Sequence, residues 1–161
     1  VTGEYNMDVK FRIGMLDRKL RIVSENTKDS KEWILWAKVA LRSTYGFEWQ
    51  GDNLLLARES LLYTFIDNYE FKFGERPDRE HVKEISFIIS WNVWQMDGLK
   101  GVIPNSCHDV ETRNLYGEVE RTPCPGCKTK NIHKHNGIPV LLKVFSSGNT
   151  YPYHLLYNKN E

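Results

Sequence analysis

Cys124-Pro125-Gly126-Cys127 is the stretch of this sequence with the plainest chemical meaning. Two cysteines with two residues between them place two thiolates about one turn apart, the shape of a zinc knuckle. Pro and Gly between them bend the backbone so that amides point at sulfur. A closed zinc site takes four ligands, and Cys107, His108, His133 and His135 are the available partners. The spacing does not choose among these four. The competing reading is a reduced, partly exposed loop. A redox Cys-x-x-Cys fits less well, because no strand-motif-helix context surrounds the pair.

Two acidic residues form the second constellation. Glu48 lies in Thr44-Tyr45-Gly46-Phe47-Glu48-Trp49 and Asp97 in Trp94-Gln95-Met96-Asp97-Gly98-Leu99. Both segments read as strands that end at the acid. In open α/β sheets ligands bind beyond the carboxyl ends of strands, and a carboxylate there can accept from both hydroxyls of a ribose. On this reading Glu48 takes the ribose and Trp49 lies against an adenine ring. Asp97 accepts from the adenine amino group, and Gly98 lets the backbone come close. The plainer alternative makes both acids ordinary turn residues.

The elements that must position these groups follow from periodicity. Ile13, Leu16, Leu20 and Val23 recur at helical spacing, while residues 1–10 show no clear period. Asp29-Ser30-Lys31-Glu32 is a capping box, in which Asp29 accepts from helix-start amides and Glu32 reaches back. The helix it opens is apolar nearly all round and is expected to be buried. Strand formers fill Ser43–Glu48. A long amphipathic helix follows over residues 53–73, with Leu61, Leu62, Phe65 and Tyr69 on its apolar side. Gly74–Pro77 ends it, Asp78 caps the next helix, and Trp91–Gln95 reads as a strand. Trp33, Trp36, Trp91 and Trp94 fall in apolar segments and are assigned to the core. Beyond Pro104 the composition turns to Gly, Pro, Asn, Cys and His, with PVLLKVF as a strand and YPYHLLY as another candidate.

Strands alternating with helices argue for an α/β fold, a parallel sheet with flanking helices. The division is then residues 1–103 as a partial Rossmann-like domain and 104–161 as a small Cys/His extension. The chain has 161 residues, with 22 Lys and Arg against 21 Asp and Glu, and is 40 % hydrophobic. This composition excludes wholesale disorder, collagen and coiled coil. No run approaches the roughly 18 apolar residues of a membrane span. The polar opening VTGEYNMDVKF lacks a signal-peptide pattern, and a first residue Val suggests an excised or processed chain. Three cysteines crowded into the last third point to a reducing, cytoplasmic setting. Charge is uneven: an acidic middle, residues 46–99, lies between basic ends. The basic run KTKNIHKH beside the cysteine pair suits phosphate contact or a solvated loop equally.

Tyr45, Gly46, Glu48, Asn53, Arg58, Leu61 and Leu62, followed by Ile88, Ile89, Ser90, Asn92, Asp97 and Leu99, occur in an order that resembles a known family. It is that of the adenine-specific DNA methyltransferases of bacterial restriction–modification systems, the subunit M-like proteins of mobile elements. The likeness spans about residues 12–100. It implies a Rossmann-like fold, S-adenosylmethionine held by Glu48, Trp49 and Asp97, and DNA as partner together with the rest of a methyltransferase or another modification-system protein. The family's glycine-rich loop and its Asn/Asp-Pro-Pro-Tyr/Phe motif do not occur in this sequence. No residue is therefore assigned to catalysis. A fragment or divergent member, inactive alone, is the expectation. The alternative is a non-enzymatic DNA- or protein-binding module with a zinc-knuckle tail. A nuclease would need an acidic array, and Glu118-Val119-Glu120 alone does not make one.

Overall fold

The computed structural model describes residues 7–156; the opening residues 1–6 and Tyr157 of the YPYHLLY stretch lie outside the described residues. The chain divides into two compact units, 1–46 with 55–93 and 47–54 with 94–161. The boundary expected at 103/104 falls inside the second of them. No described helix is long and apolar enough to cross a membrane.

The first unit is helical. Its elements are α1 (Met15–Asn26), α2 (Ser30–Arg42), most of α3 (Gly51–Phe73) and α4 (Arg79–Asn92). Leu20, Trp33, Phe65 and Ile85 are fully buried. Trp33 organises this core. Its ring meets Phe65 at 5.6 Å, Tyr69 at 5.4 Å and Phe73 at 6.1 Å, and its Nε1 donates to Ser24 Oγ at 2.9 Å. The indole thus buries its apolar body among aromatic edges while its one polar atom is satisfied.

The capping box forms in a shifted version. Asp29 Oδ1 accepts from Glu32 N at 2.9 Å, and Glu32 reaches back to Lys28 N at 3.3 Å rather than to the amide of Asp29. Asp78 occupies the N-cap of α4 but makes no side-chain capping bond. Gly74 terminates α3 with φ +74°, the left-handed conformation that glycine adopts without strain.

Two expectations need correcting. The helix α2 is not buried all round: Leu35, Trp36 and Val39 are 60 %, 50 % and 45 % exposed. Neighbours α1, α3 and α4 cover the side that carries Trp33, Ile34, Ala37 and Leu41. Trp91 and Asn92 are the last residues of α4, not the start of a strand. Asn92 is fully buried, and its Nδ2 donates to the carbonyls of Leu41, Arg42 and Thr44 at 2.9, 3.2 and 3.2 Å. One amide side chain thereby serves the carbonyls at the C-terminal end of α2, which have no partner within the helix. Arg58 does the same for α4, donating to Val93 O at 2.7 Å and Ser90 O at 3.3 Å.

The second unit is built from short strands. Its sheets each have two: β1 (Gly46–Glu48) with β2 (Val93–Gln95), β3 (Val110–Arg113) with β4 (Val119–Thr122), and β5 (Leu141–Lys143) with β6 (Thr150–Pro152). Mixed helix and strand is therefore present as expected. The sheet of β1 and β2 has two strands of three residues each, so among the described residues no extended parallel sheet forms. The pair β3–β4 is an antiparallel hairpin. Glu118 lies just before β4, and Val119 and Glu120 are on it; all three are exposed.

A turn over Asp97–Val102 carries the chain from β2 toward the cysteines. Asp97 N donates to Val102 O at 2.9 Å, and Val102 bridges in turn to Pro139. Val140 N donates to Gly101 O and Tyr153 N to Val140 O. Met96, Val102, Val140 and Leu142 are the buried apolar residues around this seam.

Truncating Trp33 to Ala is expected to destabilise the helical unit by about 3–5 kcal/mol, while Trp36→Ala changes it by less than about 0.5 kcal/mol. Denaturant unfolding followed by helical circular dichroism checks this. Equal losses from the two variants would contradict the placement of Trp33 alone in the core.

Candidate metal centre

Residues 102–108 and 135–140 run against each other, and this brings Cys107 to His135. Ile103 N donates to Ile138 O at 2.9 Å. Ser106 Oγ accepts from Ile138 N at 2.9 Å and donates to Ile103 O at 2.6 Å. Asn136 grips the backbone of His108 at two points, accepting from its N at 3.2 Å and donating to its O at 2.7 Å. Gly137 permits the approach, since a Cβ there would stand 2.5 Å from Ser106 Oγ and 3.1 Å from Cys107 N.

The cysteine pair is presented by α5 (Pro125–Thr129), with Cys124 at its N-cap and Pro125 in its first turn. Proline suits that position because its missing N–H has no partner there in any case. The helix ends at Lys130 in the left-handed region, φ +53°. Asn131 then starts a short 3-10 turn over Ile132–Lys134 by accepting from His133 N at 2.9 Å. That turn delivers His135 back onto the helix.

The contact is close. A Cβ on Gly126 would lie 2.5 Å from both the ring Cγ and the backbone N of His135, and 2.7 Å from its Nδ1. Gly126 is therefore required for proximity, and its amide and that of Cys127 also point at the Cys124 sulfur, as expected from sequence.

The outcome is a cluster of four. Nδ1 of His135 lies 3.5 Å from Cys107 Sγ, 3.7 Å from Cys124 Sγ and 3.7 Å from Cys127 Sγ. The four atoms all fall within 4.8 Å of one another, close enough to hold a metal ion. Cys124 is buried, Cys107 and His135 are half-buried, and Cys127 is exposed. The three thiols form no disulfide.

Electrostatics differ sharply between the sulfurs. Burial works against ionisation of Cys124, but hydrogen bonds outweigh it. They come from the amides of Asn136 and Cys127, the His135 ring and the Gly126 amide, and bring the thiol down to about 6. The Asn136 N–H lies 3.4 Å from the sulfur. Cys107 is pushed up to about 11, first by burial and then by the thiols of Cys124 and Cys127. Hydrogen bonding thus favours the thiolate at Cys124, while burial and the neighbouring thiols oppose it at Cys107. Lys100 is held charged mainly by its hydrogen bond to Asp97, with a further attraction from Cys127 and Cys107.

Cys124 and Cys127 stand where the sequence put them, and Cys107 and His135 are the partners that join them. His108 and His133 are not part of the group. His108 is held by its backbone, and His133 packs edge-on against His154 with ring centres 5.8 Å apart. Burial and the neighbouring His133 lower the pKa of His154. Asn136, which braces both halves of the site, was missed; no motif in the sequence marks it.

The acidic pair is placed differently. Met96 N donates to Glu48 O at 2.9 Å, so the two acids do lie at neighbouring strand ends. Each carboxylate serves its own loop, however. Glu48 Oε1 accepts from Gln50 N at 3.0 Å. Asp97 is 4 % exposed, accepts from Leu99 N at 3.0 Å and pairs with Lys100 Nζ at 3.3 Å. Trp49 is half-exposed, and its carbonyl accepts from Gln95 Nε2 at 3.0 Å.

Comparison with protein-family models, with curated proteins and with solved structures found no match for this chain.

Proposed function

We propose that the second unit is a zinc-binding module in which Cys107, Cys124, Cys127 and His135 hold one structural zinc ion. The single observation that supports this is the set of sulfur–nitrogen distances. Zinc bonds of about 2.3 Å to sulfur and 2.0–2.1 Å to nitrogen, arranged tetrahedrally, require S···N separations of about 3.6 Å. Those measured are 3.5, 3.7 and 3.7 Å. Three thiolates and an imidazole are a donor set that zinc takes in preference to magnesium or calcium. Four protein ligands leave no open position for water or substrate, which makes the role structural and not catalytic. Three unpaired thiols suit a reducing compartment such as the cytoplasm.

Metal would matter greatly to this unit. Two-stranded sheets are marginal in water, and among the described residues its sheets have no third strand. A structural zinc contributes on the order of 10 kcal/mol or more to folding. The expected result is one zinc per chain by metal analysis under non-denaturing conditions. Cys107→Ser, Cys124→Ser and His135→Ala should each weaken zinc affinity at least 100-fold, while His108→Ala and His133→Ala leave it within a few-fold. Metal-free protein purified under reducing conditions that fails to take up zinc would refute the assignment.

Gly126→Ala is a sharper probe, because it removes no ligand. Its Cβ must displace His135, so zinc affinity should drop more than tenfold while the helical content of α1–α4 stays unchanged. Wild-type affinity in this variant would contradict the close approach on which the site depends.

The family likeness supplies a second reading, in which β1 and β2 belong to an incomplete Rossmann-like sheet that binds S-adenosylmethionine through Glu48, Trp49 and Asp97. The neighbouring strand ends support it. Methyl transfer is not proposed, since the family's glycine-rich loop and Asn-Pro-Pro-Tyr-type motif are missing from these 161 residues. DNA and a complementing modification-system protein would be its partners. Calorimetric titration with S-adenosylmethionine and S-adenosylhomocysteine decides it: the reading expects saturable heat that Glu48→Ala abolishes, and no heat from either compound removes it.

A further inference from the structure

Charge in the second unit is segregated along the chain. From Arg121 to Asn160 the sequence contains no Asp or Glu, yet it contains Lys128, Lys130, Lys134, Lys143 and Lys159. Apart from the final Glu161, acidic side chains lie in the earlier part, where Glu111 pairs with Arg121 and Asp97 with Lys100. Lys128, Lys130 and Lys134 are all exposed and make no ion pair among the described residues.

These three lysines share one loop, and the metal ligands Cys127 and His135 are its two ends. A bound ion would close that loop and fix the backbone from which the lysines project. Lys130 also occupies a left-handed helix terminus, φ +53°, where glycine would sit without strain. The position keeps a long cationic side chain despite that conformation.

Resting on the zinc reading, we propose that the metal-closed loop from Cys127 to His135 binds the phosphate backbone of a nucleic acid, with Lys128, Lys130 and Lys134 each neutralising one phosphate. Lysine is a point charge and suits phosphate recognition that carries no base information. A lipid surface fits the loop less well. Thr129 and Asn131 separate the lysines, and Ile132, its one apolar residue outside the ligands, is half-buried, so little is offered to the acyl layer. The ammonium groups supply the attraction, and their counterpart is the release of counterions from the nucleic acid.

Fluorescence anisotropy with labelled single-stranded and duplex oligonucleotides of mixed sequence tests this on the full chain across a salt series. Zinc content is measured on the same samples. Three phosphate contacts predict a slope of log affinity against log salt of about −2 to −3. The triple variant K128A/K130A/K134A should bring the slope close to zero and weaken low-salt binding at least tenfold, with zinc content unchanged. Chelation should weaken wild-type binding to a similar degree. Zinc-loaded protein that binds neither oligonucleotide at low salt, or a triple variant with an unaltered slope, overturns the proposal. So does tighter binding to vesicles of anionic phospholipid or to poly-glutamate. Protein that holds no zinc yet binds through the three lysines refutes the metal reading while upholding the phosphate contact.

Discussion

The second unit depends on the approach of the His135 ring to the bare backbone of Gly126. Everything that makes a four-atom cluster follows from that approach. The ring reaches the sulfurs of the Cys-x-x-Cys helix from one side, and the seam between residues 102–108 and 135–140 brings the Cys107 sulfur to the same nitrogen. A methyl group at position 126 would occupy the space the ring needs. Few apolar side chains are fully buried in this part of the chain, so hydrophobic packing alone is a weak constraint on where a loop residue ends up. Hydrogen bonds set the geometry instead. Ser106 and Asn136 tie the two segments together, and Asn131 shapes the turn that precedes the histidine.

The helical unit obeys a different logic. One indole is surrounded by three aromatic rings and keeps its N–H bonded to a serine. Helix ends are then served by side chains brought from elsewhere in the unit: Asn92 for the end of α2 and Arg58 for the end of α4. These are long-range contacts that burial makes obligatory, because carbonyls left without a partner away from water are costly. The contrast has a thermodynamic consequence. Helix packing of this kind calls for no ligand, whereas on the zinc reading the cysteine loop would fold only as far as the ion allows.

What was legible in the sequence divides along the same line. Signals that act locally were readable: the capping box at Asp29, the stop at Gly74, the helical stripe through Leu16 and Leu20, and the cysteine pair itself. Features decided by distant partners were not. The apolar sequence of α2 suggested burial on every side, yet only its neighbours determine which side is covered, and Leu35, Trp36 and Val39 face none. Trp91 and Asn92 look like strand residues by composition, but three distant carbonyls at the end of α2 and just beyond it anchor Asn92 at the end of a helix. The choice of His135 over His133 rests on the left-handed residue at Lys130 and the short turn after it, neither of which spacing reveals.

The acidic pair shows how one position can serve two chemistries. A carboxylate at the end of a strand is well placed to accept from a ribose, and equally well placed to accept from the amides of the turn that follows. Glu48 and Asp97 both do the latter, bonding to backbone N–H groups two residues on. Asp97 does more, because its second oxygen holds the Lys100 ammonium, and that charge is attracted in turn by Cys127 and Cys107. On the zinc reading, three thiolates around a divalent ion would leave a net negative charge, which an ammonium attracted to them would offset. Asp97 therefore fixes a cation that is attracted toward the cysteine cluster, whatever else its strand-end position accepts.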